Sequence, residues 1–238
     1  MNLRQVVYLS ALPFAAAVAG TSAFAETRIG EAAVVKNEVV RVAASSNSPI
    51  NVGDEVLRDE VVHTGLDSAT RLVLADSTNL SLGPNSTITL DRSVFDDEHR
   101  YRDLAIRLAN GAFRFVTGHS EKPAYKITIS VATIGVRGTV LDILAQRGRT
   151  IVVLQEGASS VCTLSFQCVQ LTQPGETAII TAAGNGGTTI KKTSKSPWNF
   201  AATCAAATGL CTVTDYADAT PPSTPPAAPP VDEALCGR

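Results

Sequence analysis

The strongest constraint on this chain is an eight-residue period over positions 71–94, which read RLVLADST, NLSLGPNS and TITLDRSV. Apolar pairs recur at the same places in each unit: Leu72/Leu74, Leu80/Leu82 and Ile88/Leu90. Each pair is followed by turn residues, and Gly83-Pro84 excludes a helix. Alternation gives every strand one buried face, so the period predicts a meander or a solenoid-like coil of short strands.

Alternation continues beyond the repeat, through Leu104, Ile106 and Leu108 and again through Phe113 and Phe115. Asn110-Gly111 lies between these runs and predicts a hairpin turn, because both turn residues must accept positive φ. Strands are also predicted over 125–131, over TVLDILA and TIVVLQ on either side of Gln146–Arg149, and around Pro174-Gly175, with a turn starting at Gly157. The prediction is an all-β fold of many short strands, in a solenoid-like or sandwich arrangement.

The C-terminal part has a different composition. GNGG at 184–187 is a flexible breaker, and SPWNFAATCAAATG predicts a short helix with Ser196 as cap, Pro197 at its first position and Gly209 as its stop. Trp198 and Phe200 are expected to dock this helix on the sheet. PPSTPPAAPP at 221–230 predicts an extended or disordered tail.

The N-terminus has the features of a secretory signal peptide: Arg4, an apolar run, and Ala23 and Ala25 in the positions of an A-x-A site. Cleavage is predicted between Ala25 and Glu26. The apolar run is short for a membrane span, no second run is long enough, and no lipobox cysteine follows. We therefore expect an exported protein, periplasmic or secreted, with no membrane span after cleavage.

The expected organisation follows from these boundaries: signal peptide 1–25, lead-in 26–44, β-domain 45–183, Gly-rich turn and cysteine-bearing tail with the helix 184–220, and proline-rich C-terminus 221–238. Removal of Arg4 changes the formal charge from −2 to −3. With no basic block and a charge near neutral, nucleic acid is a poor candidate partner.

All five cysteines lie at or after residue 162, at positions 162, 168, 204, 211 and 236. An oxidising compartment favours disulfides, and the pairs Cys162/Cys168 and Cys204/Cys211 would each close a short loop. Cys236 is left to pair with another chain or to stay free. A metal site is the competing interpretation, but no C-x-x-C or Cys/His cluster supports it.

The stretch KITISVATIGVRGTVLDI, 126–143, resembles the central signature of FecR-type domains, a family named for an envelope regulator of ferric citrate uptake. The matching residues are Gly135, Val136, Arg137, Gly138 and Thr139. Further stretches agree in order: HTGLDSATRLVL, LSLGPNSTITLD, LANGAFRFVTG, VVLQEGASSV and LTQPGETAII. The resemblance covers about residues 45–183 and implies a β-domain that acts by binding.

The resemblance also has limits. The membrane-bound regulators of that family carry a cytoplasmic sigma-factor-binding segment, a transmembrane helix and a C-terminal lobe that meets an outer-membrane transporter. This sequence shows a cleavable signal in place of the first two and no evident second lobe. Sigma-factor regulation is therefore not carried over to it.

Arg137, between two glycines, has two interpretations. The structural one, which we favour, has its guanidinium bonding backbone carbonyls or pairing with Asp76 or Asp142, while the glycines allow a tight bend. The functional one has it binding a carboxylate or phosphate of a ligand.

The sequence carries no motif of a hydrolase, metalloprotease, nucleotide-binding loop or dinucleotide fold, so no catalytic residue and no cofactor are predicted. His63 is expected at a strand end, as a solvated neighbour of a turn, and His119 in another turn. His99 lies among Asp96, Asp97, Glu98 and Asp103, a stretch that could hold a hard cation but matches no calcium loop; an exposed solvated loop is favoured.

The first functional hypothesis is a non-enzymatic, exported domain that binds an envelope protein in a regulatory or scaffolding role through its sheet edges and turns. The alternative is a carbohydrate- or peptidoglycan-binding module, which would need an exposed aromatic platform. An enzyme is the weakest candidate, because a pocket with convergent titratable groups would be required.

Overall fold

A computed structural model describes residues 27–44, 46–95, 101–120, 125–184 and 186–207 of the 238-residue chain. These residues form fifteen strands and one short helix, which confirms the predicted all-β class. The elements in chain order are β1 Arg28–Lys36, β2 Val39–Val42, β3 Asn47–Pro49, β4 Glu55–Leu57, β5 Val61–Thr64, β6 Ala69–Leu74, β7 Asn79–Leu82, β8 Thr87–Phe95, β9 Tyr101–Val116, β10 Tyr125–Ile129, β11 Ala132–Gln146, β12 Arg149–Thr163, β13 Cys168–Leu171, β14 Thr177–Ala182, β15 Thr188–Thr193 and α1 Phe200–Ala207.

The fifteen strands form one hydrogen-bonded network that divides into two layers. The first layer has the order β4-β1-β6-β7-β9-β11-β12-β14-β15, and the second has β3-β2-β5-β8-β9-β10-β11-β12-β13. Strands β9, β11 and β12 belong to both layers. Every pairing of the described strands is antiparallel except that of β9 with β10, which is parallel.

Each of the three shared strands changes partners near its middle. Residues 101–110 of β9 pair with β8, and residues 104–108 also pair with β10, whereas residues 111–116 lie between β7 and β11. The first half of β11 pairs with β10 and its second half with β9. The first half of β12 pairs with β14 and its second half with β13. The long strands therefore turn the corner between the layers.

A glycine with positive φ lies at each change of partner: Gly111 at 116°, Gly138 at 65° and Gly157 at 82°. In β9 and β11 the residues that face the core have even numbers before the glycine and odd numbers after it. In β9 these are Leu104, Ile106 and Leu108, followed by Phe113 and Phe115. In β11 they are Ala132, Ile134 and Val136, followed by Leu141, Ile143 and Ala145. The same change occurs in β12, from Val152 and Leu154 to Val161. Bends and bulges of this kind are how a strand passes from one packed sheet to another.

The main core lies between the two layers and draws buried aliphatic side chains from both. Phe115 of the first layer meets Tyr125 of the second edge to face, with ring centroids 5.6 Å apart. A second, smaller cluster lies on the outer face of the first layer, where α1 packs. Its members are Ala69, Ala112, Phe200 and Cys204, with Leu144 and Trp198 at its edge. The expected docking of the helix is confirmed.

The eight-residue period corresponds to β6, β7 and β8, but three expected turns are wrong. Asn110-Gly111 does not close a hairpin; both residues lie inside β9, where an added Cβ on Gly111 would come 2.4 Å from Ser86 Cα. Gly157 bends β12 without ending it. Asp91–Ser93 continues β8, with a register shift between Leu90 and Arg92. The hairpin at residues 147–148 and the turn at Pro174-Gly175 are confirmed.

Two regions contain more regular structure than their sequences suggest. The lead-in contributes β1 and β2, which pair with β4, β6 and β5. The tail contributes β15, an edge strand on β14. Helix α1 begins at Phe200, and its cap is Asn199, whose side-chain oxygen accepts from the Ala202 N–H at 3.0 Å, so the prediction of Ser196 as cap is wrong.

Several predictions fall on residues outside the described ranges: the signal peptide 1–25, the acidic stretch around His99, Gly209, the proline-rich tail, Cys211 and Cys236. Over the residues that are described, no helix is both long enough and apolar enough to cross a membrane.

Candidate functional site

The GVRGT motif forms the corner where β11 and β12 pass together from one layer to the other. Gly138 and Gly157 face each other there, with φ values of 65° and 82°. A Cβ added to Gly157 would lie 1.8 Å from the carbonyl oxygen of Gly138. No side chain fits in that space, so the two backbones approach as closely as they do only because residue 157 is glycine.

Three residues around the corner hold its geometry. Thr139 is buried, and its N–H donates to Thr117 Oγ1 at 2.8 Å, while the Thr117 N–H donates to the Thr139 carbonyl at 3.0 Å. The Ser159 hydroxyl donates to the Gly135 carbonyl at 2.9 Å. Val136 is buried in the main core. Four of the five motif residues therefore have backbone or core roles at the bend.

Arg137 is the exception. Its side chain is exposed, and it forms no hydrogen bond or ion pair with any residue that the structure describes. The two carboxylates considered as its partners are both engaged: Asp76 accepts from the Tyr125 hydroxyl at 2.6 Å, and Asp142 accepts from Arg114. The favoured interpretation, in which the Arg137 guanidinium bonds backbone carbonyls or pairs with Asp76 or Asp142, is therefore wrong.

The arginine that forms a buried ion pair between strands is Arg114 on β9, whose partner lies on β11. Its Nε and Nη2 donate to the two carboxylate oxygens of Asp142 on β11, at 2.5 and 2.8 Å, and both side chains are buried. Gln155 of β12 donates to the same carboxylate at 2.8 Å, and Arg114 stacks over the Phe200 ring, 5.1 Å from its centroid. This network joins three strands and the helix.

Sequence inspection missed this pair although a signal was present. Arg114 is the single charge in FRF, and Asp142 is the single charge in TVLDIL. A lone charge in the middle of an apolar strand needs a buried partner of opposite sign. The signal becomes usable only once β9 and β11 are known to pair, with Arg114 opposite Asp142.

Asp76 is the centre of a second buried network, between the layers. Its carboxylate accepts from the Thr78 N–H at 2.9 Å and from the Tyr125 hydroxyl, which also contacts Thr78 Oγ1. Burial, together with the Asp76 charge, raises the pKa of the Tyr125 phenol. That phenol stays protonated as a hydrogen-bond donor, so the network is structural.

The residues around Arg137 are exposed to solvent. The exposed residues at the corner are Gly135, Arg137, Gly138, Gln155, Glu156 and Gly157. Three are glycines, which carry no side chain. A guanidinium that has no partner among the described residues offers two parallel N–H donors to a carboxylate, a geometry suited to recognition.

The cysteine prediction is confirmed for one pair: Cys162 and Cys168 form a disulfide that joins β12 and β13, with their Cα atoms 4.0 Å apart. Cys204 on α1 is also disulfide-bonded. The predicted pairing with Cys211 stays a prediction, because Cys211 lies outside the described residues. The same holds for the fate of Cys236.

The remaining candidates do not converge on a reactive centre. His63 Nδ1 lies 2.9 Å from Thr87 Oγ1, and His119 Nδ1 lies 3.2 Å from the Asp76 carbonyl. No group of three His, Cys, Asp or Glu side chains within the described ranges has metal-site geometry.

Trp198 is half-buried and its indole N–H donates to Thr203 at 2.8 Å, so its polar edge is used to anchor the helix.

Comparison with known proteins supports the resemblance drawn from the motif. The family model described as "FecR protein" matches residues 60–159, which include Gly135 to Thr139. The predicted resemblance is therefore confirmed over those residues. No curated protein matches the chain.

Solved structures similar to this chain include two of a "putative anti-sigma factor" from Parabacteroides distasonis, at 2.50 and 1.65 Å resolution. Both are 16% identical in sequence, with TM-scores of 0.46 and 0.45. The alignments cover 55% of this chain and 58% of those chains, so this chain spans a little over half of their length.

Proposed function

We propose that this chain is a non-enzymatic, exported regulatory module that binds a protein of the bacterial envelope through the corner around Arg137. The observation that carries the proposal is that corner: within the stretch that matches the FecR family, four motif residues build a bend and the fifth, Arg137, is left exposed beside it.

The geometry suits a protein partner better than a small molecule. A small ligand is normally held in a concave site with several convergent polar groups. At the Arg137 corner the exposed neighbours are three glycines, Glu156 and Gln155, and the side-chain amide of Gln155 is already bonded to Asp142. Arginine is enriched among the few residues that dominate protein interfaces.

Export supports the same role. The predicted signal peptide with cleavage after Ala25 would deliver the chain to an oxidising compartment, and the Cys162–Cys168 disulfide is the kind of bond that such a compartment maintains. Both features support a location in the periplasm or outside the cell. N-terminal sequencing of the mature protein is expected to begin at Glu26; a start at Met1 would contradict export by cleavage.

The test is site-specific photocrosslinking in the cells that make the protein. A benzophenone amino acid replaces Gly135, which is exposed and has no atom nearer than 3.9 Å to an added Cβ, so that Arg137 itself is kept. The matched control carries it at Thr189, an exposed site on β15.

We expect one protein adduct from position 135, none from position 189, and loss of the adduct in Arg137→Glu with the fold unchanged by circular dichroism. An adduct that persists in Arg137→Glu would remove Arg137 from the contact. Absence of any protein adduct, with the chain instead cosedimenting with purified peptidoglycan sacculi, would replace this function by the glycan-binding one.

A further inference from the structure

A second surface stands out at the far end of β12, in the hairpin that leads to β13. Phe166 is 89% exposed and Leu164 is 57% exposed. The large apolar side chains that the described ranges leave exposed are Val42, Val52, Leu66, Leu164 and Phe166. Phe166 is the most exposed of them and the one aromatic ring. Full burial of such a side chain would stabilise the fold by about 1.5–3 kcal/mol, and the free protein lacks this stabilisation.

The tip is held rigidly in this conformation. The Cys162–Cys168 disulfide closes its base, the Thr163 N–H donates to the Gln167 carbonyl at 2.9 Å, and the Phe166 N–H donates to the Thr163 carbonyl at 3.0 Å. A rigid tip loses little conformational entropy when a partner binds it.

Phe166 also occupies a backbone conformation that its side chain disfavours. Its φ is 61°, in the left-handed region where glycine and asparagine are common and a bulky residue is an outlier. Such outliers persist only where the surrounding structure enforces them, and they are concentrated at functional sites. Here the outlier and the exposure coincide on the same residue.

The surroundings indicate which kind of partner fits. Residues 158–175 contain no charged side chain. Stable attachment to an anionic lipid surface relies on several basic residues beside the apolar ones or on a wide apolar face. Lys192 of β15 does contact this hairpin, donating to the Gln170 carbonyl at 2.7 Å, but its charge is paired with Glu176, and the tip has no wide apolar face. A single aromatic ring with a leucine beside it and uncharged Ser165, Gln167 and Gln170 around it matches an anchor that enters a pocket on a protein.

We propose that Phe166, supported by Leu164, is the anchor by which this chain inserts into an apolar pocket, rimmed by uncharged groups, on its protein partner. The residues that match the FecR family end at 159, so the tip lies outside the matched stretch and would confer partner choice particular to this chain. The inference rests on the proposed function, but the surface it concerns is separate from the Arg137 corner. The tip lies about 20 Å along β12 from the residue that pairs with Arg137.

The first test concerns the free protein. Phe166→Asn places a residue that tolerates positive φ at the same position, so we expect a thermal midpoint equal to or above that of the original chain. A lower midpoint would mean that Phe166 serves the fold, and the proposal would be overturned.

The second test uses the partner captured from position 135, purified and titrated against the chain by calorimetry. Phe166→Asn is expected to weaken the Kd by at least about 30-fold, the size of an interface hot spot. The control Val52→Asn, at another exposed apolar side chain, is expected to change it less than about 3-fold. An unchanged Kd for Phe166→Asn would overturn the anchor and leave the proposed function intact.

The third test separates a lipid surface from a protein pocket. Vesicles of phosphatidylethanolamine and phosphatidylglycerol, 3:1, are sedimented with the original chain and with Phe166→Asn. We expect no cosedimentation of either. Cosedimentation that depends on Phe166 would assign the tip to the membrane and overturn the proposal, whereas failure of all crosslinking at position 135 would instead remove the proposed function itself.

Discussion

At the scale of single residues, the Arg114–Asp142 pair is the most consequential contact between strands. Both side chains are buried, so removal of one leaves an uncompensated charge away from water. We expect Asp142→Ala to lower the free energy of unfolding by about 3–5 kcal/mol. Urea denaturation followed by circular dichroism measures this, and the double variant Arg114→Met/Asp142→Leu should recover most of the loss, because well-packed apolar residues can replace a buried pair.

The exposed pair of Arg107 and Asp91 is the matched control. Its side chains are 59% and 41% exposed, so solvent screens the attraction. Asp91→Ala is expected to change the free energy of unfolding by less than about 1 kcal/mol. Equal losses for Asp91→Ala and Asp142→Ala would show that burial does not set the strength of the Arg114–Asp142 pair.

Glu176 makes stability depend on pH. A hydrogen bond from Lys192, followed by one from the Thr172 N–H, lowers the pKa of Glu176 from 4.5 to about 2. Because folding favours the ionised carboxylate, its contribution is complete above pH 4.5 and disappears as the pH falls to about 2. The thermal midpoint of the original chain should therefore fall more steeply over that window than the midpoint of Glu176→Gln. Parallel curves would contradict the assignment.

The sequence alone was informative about Arg137 and the cysteines but not about what Arg137 contacts. A motif of glycines and an arginine predicts a bend with a charge beside it. It does not say whether a carboxylate lies within reach, since Asp76 and Asp142 become neighbours of other groups only through long-range strand pairing. The exposure of Phe166 could not be predicted from the sequence either, because nothing in LSFQ distinguishes a phenylalanine that faces solvent from one in the core.

At the scale of elements, the bent strand is the unit that the fold is built from, and glycine is what permits it. Gly157→Ala would place a Cβ 1.8 Å from the Gly138 carbonyl oxygen at a φ of 82°. The strained backbone alone costs about 1–3 kcal/mol, and the overlap adds to it. We expect a urea midpoint well below that of the original chain, or no soluble folded protein.

Gly135→Ala is the control for Gly157→Ala. It lies in the same motif region, but the nearest atom to its added Cβ is the Ser160 carbonyl oxygen at 3.9 Å, an ordinary contact distance. Its midpoint should stay within experimental error of the original. Similar midpoints for the two variants would mean that the corner does not need glycine at 157.

Strands and their alternation were predictable, whereas the corners were not. A change of the buried face from even to odd positions beside Asn110-Gly111 is what a two-residue hairpin would show, and it is also what a single strand shows when it bends between layers. The two differ only in whether the following residues pair with the preceding ones. In β9 they pair instead with β7 and β11, which distant sequence positions supply.

At the scale of the whole molecule, three shared strands couple the two layers, so neither layer can lose its pairing without disturbing the other. Helix α1 is different, because its buried cluster lies outside that core, on the far face of the first layer. The order of unfolding should follow this division: the layers unfold as one unit, and the helix stays with them only through its own contacts.

Trp198, the single tryptophan, allows this division to be tested, since it lies against Phe200 with ring centroids 6.4 Å apart. In the original chain we expect the tryptophan fluorescence and the β-sheet circular dichroism to change at the same urea concentration. Phe200→Ala removes a fully buried ring from the small cluster, at about 3–5 kcal/mol, and leaves the main core intact.

In Phe200→Ala the fluorescence midpoint should therefore fall while the circular dichroism midpoint remains close to that of the original chain. Phe166→Ala, which removes the same ring from an exposed site, should leave both midpoints in place. Two curves that still coincide in Phe200→Ala would show that the helix is part of the cooperative unit, and the division between core and helix would be wrong.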